Sequence, residues 1–108
     1  MISAEFFCND HQLIEGFTIQ GHAGYADYGN DIICSAVSAL ATNTINSIDT
    51  LVQIPVQYDQ NEDGLLTCSI DQVENPDAQL LFRSLLLGLR SIQTSYGKKY
   101  LNIKMRNR

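Results

Sequence analysis

Phe17-Thr18-Ile19-Gln20-Gly21-His22-Ala23-Gly24-Tyr25-Ala26-Asp27-Tyr28-Gly29-Asn30-Asp31-Ile32-Ile33-Cys34-Ser35-Ala36-Val37 is the stretch in which the chain changes its hydrophobic period. Before it, Ile2, Ala4, Phe6 and Cys8 alternate with Ser3, Glu5 and Phe7, and Phe17 and Ile19 share one side of residues 13–20. A period of two marks half-buried strands, and the Asn9-Asp10-His11 cluster between the runs makes them a hairpin. After it, Ile33, Val37, Leu40, Ala41, Thr44, Ile48 and Leu51 recur at three- and four-residue steps, one face of a helix. Between the two lie three glycines and almost no aliphatic side chain, so residues 21–31 are expected to form a mobile surface loop with no anchor in the core. Asp31 or Asn30 is placed to cap the helix that follows.

Toward the C-terminus, Pro55 stops the helix or follows it, and residues 56–59 and 65–71 read as short strands, with Leu66, Cys68 and Ile70 on one face. Asn75-Pro76-Asp77 is a helix start: a cap, a proline at the first helical position, an acid near the positive end. Ala78, Leu81, Leu85, Leu89, Ile92 and Tyr96 continue it as an apolar stripe closed by Gly97, and Gly88 inside it marks close packing. Leu101, Ile103 and Met105 alternate with polar residues as a last strand. The element order β-β-α-β-β-α-β describes an α+β fold, a single sheet with two long helices, in one domain over residues 1–108.

Composition narrows the function classes. The 108 residues carry 12 acidic and 7 basic side chains, a net charge of −5, and 44% apolar residues. That is one domain, too apolar and too poor in proline to be disordered. No apolar run approaches the roughly 20 residues of a membrane span, and the N-terminus lacks the basic and apolar regions of a secretion signal. A cytoplasmic protein is expected. All twelve acids precede Gly97, against only Arg83 and Arg90, so the first 97 residues carry −10 and the last eleven +5. An acidic body disfavours nucleic acid and suits a basic protein partner. The terminal lysines and arginines are read as guards on an edge strand.

Cys8, Cys34 and Cys68 form neither a disulfide framework nor a Cys-x-x-Cys pair, in keeping with a reducing compartment. Cys8 and Cys68 occupy inward strand positions, where cysteine is ordinarily inert. Cys34 is the third helical residue after an Asp31 cap, where first-turn N–H groups and the helix dipole are expected to lower a thiol pKa, opposed by the like charge of Asp31 unless that carboxylate is turned toward backbone donors or a histidine. His22 leaves the second strand twelve residues earlier and is the candidate proton carrier; His11 reads as a solvated turn residue. Ser38 lies one turn beyond Cys34 on the same face, able to brace the site. Against a Cys34–His22 pair stands the plain reading of a buried helix cysteine and an incidental loop histidine. Asp59-Gln60-Asn61-Glu62-Asp63-Gly64 matches half a calcium loop, but Ile70 stands where the closing glutamate belongs, so an acidic turn is expected. A metal site from His22, Cys34 and Asp31 lacks a paired cysteine, and no cofactor is implied.

Gly21-His22-Ala23, Gly29 and Asp31-Ile32-Ile33-Cys34-Ser35-Ala36-Val37-Ser38 resemble the signature of the Prp family, the bacterial ribosomal-processing cysteine proteases. Ser35 departs from it, standing where alanine is more usual. The resemblance implies an enzyme that removes a short N-terminal extension from a large-subunit ribosomal protein precursor, with Cys34 as nucleophile and His22 as general base and acid. It implies supporting roles for Asp31, Ser38 and Gly21, a homodimer, and a mobile loop that orders over substrate; Tyr25 and Tyr28 in that loop read, from the residues alone, as ordinary loop aromatics or as a lid over an extended peptide. First-turn or loop N–H groups would hold the oxyanion. Two other readings differ in kind: a ribosome-associated binding module using the basic C-terminal strand on RNA, and a thiol redox sensor that oxidises at Cys34 without His22.

Overall fold

The computed structural model describes residues 1–24, 26 and 31–108. Among these, five strands form one sheet: β1 (Ile2–Cys8), β2 (Ile14–Gln20), β3 (Val56–Gln60), β4 (Leu66–Ile70) and β5 (Leu101–Asn107). Helix α1 (Ile32–Ser47) runs into a π-helical turn (Ile48–Val52), and α2 (Pro76–Tyr96) follows β4. The α+β order read from the sequence is the order observed.

The sheet order is β3-β4-β2-β1-β5. Neighbours are antiparallel except β1 and β5, which run parallel because α2 carries the chain across two strands before β5 begins. One sheet face is covered. Ile2, Ala4, Phe6 and Cys8 of β1, Phe17 and Ile19 of β2, and Leu66, Cys68 and Ile70 of β4 join Ile33, Val37, Ala41 and Ile45 of α1 and Phe82, Leu85 and Leu89 of α2 in one core. The Phe17 ring stands edge-on to Phe82 at 6.2 Å and tilts against Phe6 at 5.8 Å, linking helix layer to sheet. Gly88 allows the helices to approach: a Cβ there would meet the Leu40 Cδ1 at 2.9 Å.

The basic C-terminal strand β5 lies at one edge of the sheet, as the charge pattern suggested, and β3 lies at the other. On the β5 edge, Arg106 pairs with Glu5 on β1 at 2.7 Å, and the Arg108 guanidinium lies 4.3 Å from the Phe7 ring centre. On the β3 edge, Tyr58 is exposed and Gln57, Asp59 and Gln60 are polar.

Three features depart from the sequence reading. Leu51, placed on the buried face of α1, is 76% exposed, because the wide π turn after Ser47 rotates the face while keeping Ile48 buried. Gln53, in the left-handed region at φ 64°, ends that turn ahead of Pro55. On α2 the buried set is Ala78, Gln79, Phe82, Leu85 and Leu89, while Tyr96, expected in the stripe, is exposed. A β-bulge in β2 pairs Gly16 with Phe7 but Ile14 with Cys8, so Ile14 and Phe17 both face inward. At that bulge buried Gln79 closes three hydrogen bonds: its Nε2 donates to the Ile14 carbonyl (2.7 Å) and the Val73 carbonyl (2.8 Å), and its Oε1 accepts from the Ile14 N–H (2.8 Å).

Gln79→Leu keeps the volume but orphans these backbone groups, each at a cost of about 1–3 kcal/mol. A lowered urea midpoint with unchanged slope is the expected result.

Candidate active site

β2 ends at Gln20, and the chain turns away at Gly21 with φ +93°; a Cβ there would lie 2.5 Å from the Met1 carbonyl oxygen. Glycine is therefore required both by conformation and by the start of β1 alongside. His22 follows, exposed to solvent. Ala23 does not behave as a loop residue: at 4% exposure it belongs to the core, so this part of the segment is anchored, contrary to the expectation from its composition. Its N–H donates to Cys34 Sγ at 3.2 Å. The expected lid residues Tyr25 and Tyr28, the alternative cap Asn30 and the signature's Gly29 lie outside the described residues.

Asp31 is the N-cap of α1, with φ −80° and ψ 99°. Its Oδ1 accepts from the N–H groups of Ile33 and Cys34, both at 3.0 Å, and its carbonyl accepts from the Ser35 N–H and hydroxyl, both at 3.2 Å. The carboxylate is buried. One residue thus satisfies successive first-turn donors and fixes where the helix begins.

Cys34 sits half-buried at the wall of a groove of about 800 Å³. Gly21, His22, Asp31, Cys34 and Ser38, the residues singled out from the sequence, all line this groove. Among the described residues no hydrogen bond joins the His22 ring to Sγ. Ser38 is exposed one turn along α1, with Thr42 beyond it on the same wall. The opposite wall is the β3–β4 turn, through Gln60, Asn61, Glu62 and Gly64. Nothing local in the sequence ties that turn to the helix start; β4 has to pair with β2 before the two come together.

The thiol is not depressed in this state. Burial pushes Cys34 above the ordinary thiol value; the Ala23 N–H and the N-terminal ammonium pull it down, while the Asp31 carboxylate pushes it up as a hydrogen-bond acceptor and as a negative charge. The helix-start argument left out burial, the largest cause, and the opposing charge of Asp31 acts in the same direction as burial. Cys68 is pushed up to about 12 by burial, and Cys8 is also raised, by burial and by Glu15. What distinguishes Cys34 is that it is half-buried at a groove wall, where Cys8 and Cys68 are buried.

The family model described as cysteine protease Prp matches residues 1–101. The ribosomal processing cysteine protease Prp of Staphylococcus aureus strain Mu50 is 31% identical over 107 residues, covering 96% of this chain and all of that one. The protein of that name from Bacillus subtilis strain 168 is 29% identical over 101 residues, 89% of this chain and 90% of that one. In fold, the chain matches a crystal structure of the S. aureus protease with a covalently linked product peptide at a TM-score of 0.92, with 24% identity and 98% and 100% coverage.

Asp31→Asn keeps a good capping side chain but removes the charge. Alkylation of Cys34 by iodoacetamide at pH 7 is expected to rise up to about tenfold, the effect of one pKa unit. Peptide mapping by mass spectrometry, with Cys8 and Cys68 as buried references, measures it; an unchanged rate would show that Asp31 does not hold the thiol neutral.

Proposed function

The chain belongs to the Prp family of ribosomal-processing cysteine proteases, and on that premise we propose that it removes the short N-terminal extension of a large-subunit ribosomal protein precursor, with Cys34 as nucleophile and His22 as general base and acid. The observation that carries this reading is that Cys34, at the start of α1, and His22, at the exit of β2, open onto one groove large enough for an extended peptide.

The chemistry follows from the resting thiol. With the Cys34 thiol pushed up, its proton has to leave as the sulfur attacks. A peptide in the groove excludes water and brings the His22 imidazole to the sulfur, which then loses its proton to the ring as it attacks the scissile carbonyl. The S–C bond forms as the carbonyl electron pair moves to oxygen. Collapse expels the new N-terminal amine, which takes the proton from His22. Water, deprotonated by the same ring, then releases the acyl group and regenerates the thiol. Asp31 sets the position of Cys34 through the cap, Gly21 gives the loop its turn, and Ser38 offers a hydroxyl along the path of the peptide. Glu62 on the far wall and the −10 charge of residues 1–97 suit a basic protein substrate rather than nucleic acid. In this reading the active unit is a cytoplasmic homodimer.

Incubation with the ribosomal protein precursor of the same genome, read by mass spectrometry of the new N-terminus, tests the assignment. Cys34→Ala and His22→Ala are each expected to slow cleavage by at least about 10²- to 10⁴-fold with thermal unfolding unchanged. Full-rate processing by either variant would overturn it.

A further inference from the structure

We propose that the backbone N–H of Ala23, and not the first turn of α1, is the donor that stabilises the oxyanion formed on Cys34. The inference deepens the protease reading and rests on Cys34 being the nucleophile.

A cysteine at a helix start invites the view that the helix itself supplies the oxyanion donors. Here the two donors at and just before the cysteine, on Ile33 and Cys34, are occupied. The N–H groups of Ile33 and Cys34 both point at Asp31 Oδ1, and the Ser35 N–H points at the Asp31 carbonyl. Redirecting them would uncap α1 and take two hydrogen bonds from a buried carboxylate. The Ala23 N–H is directed instead at the reacting sulfur, at 3.2 Å. It is also held firmly: the Ala23 methyl is in the core, and Gly21 and Gly24 on either side adopt positive φ values of +93° and +70° that turn the backbone around it.

When Sγ bonds to the scissile carbon, negative charge passes from sulfur to the carbonyl oxygen, one C–S and one C–O bond away. A donor in contact with Sγ lies within reach of that oxygen with little rearrangement, and a rigid donor costs no reorganisation as the charge arrives. The same N–H therefore serves the sulfur before attack and the oxygen after it.

The test is a single-atom change. Residues 1–33 are synthesised with an ester in place of the His22–Ala23 amide and joined to residues 34–108 at Cys34 by native chemical ligation, beside an all-amide control made the same way. Acylation of Cys34 by p-nitrophenyl acetate passes through an oxyanion; alkylation by iodoacetamide does not. Acylation is expected to fall about 10²- to 10³-fold, with alkylation changed less than about tenfold, the effect of one pKa unit on the thiolate. Unchanged acylation, or acylation and alkylation falling together, would overturn the assignment. Should the ester chain not fold, the native chain decides: on forming a thiohemiacetal with a peptide aldehyde, the Ala23 amide proton is expected to move downfield while those of Ile33 and Cys34 stay. The reverse pattern would refute the proposal. An all-amide protein that is acylated but leaves the ribosomal precursor uncut would sink the substrate assignment alone.

Discussion

One carboxylate oxygen organises the site. By accepting from two successive N–H groups, Asp31 decides where α1 starts, and therefore which turn of the helix carries the thiol and which way it faces. The same contact has a chemical side effect. It takes the helix donors out of play, adds a negative charge beside the sulfur, and leaves the preceding loop to supply whatever polar support the reaction needs. Cap and reactivity are opposed here, and the cap prevails until something enters the groove.

The rest of the fold serves to bring two distant segments to that helix start. Gly21 lets β2 end against the first residue of β1, which delivers His22 and Ala23 to one side of Cys34. Pairing of β4 with β2 then swings the β3–β4 turn to the other side. Gln79 fixes β2 from behind by holding its bulge to α2, so the strand that carries the loop is tied to the helix layer as well as to its neighbours.

Much of this was legible from residue order. The switch from a period of two to 3.6 located the loop between β2 and α1, and the position of Asp31 ahead of Ile33 and Cys34 gave both the cap and the third-residue placement of the thiol. The failures have separate physical causes. Ala23, small and flanked by glycines, carries no hydrophobic signal although it is buried. Gln79 is absent from the apolar stripe read for α2, because its burial depends on partners that only the bulge at Ile14 and the Val73 carbonyl supply. Leu51 keeps helical spacing by count, yet the π turn changes the count per turn. The far wall of the groove depends on strand order, which no local pattern encodes. The direction of the Cys34 shift was missed because a dipole argument was made without weighing burial against it.

The neutral resting state of Cys34 bears on how the site is to be blocked. Chloroacetamides and similar warheads react with whatever thiolate stands ready, and a thiol pushed up by burial and by Asp31 offers little of it. On the proposed assignment, an effective covalent inhibitor has to behave as substrate first: long enough to fill the groove, with its electrophile kept mild until then. Selectivity over the many exposed, already ionised cellular thiols would then come from the pocket's own reluctance.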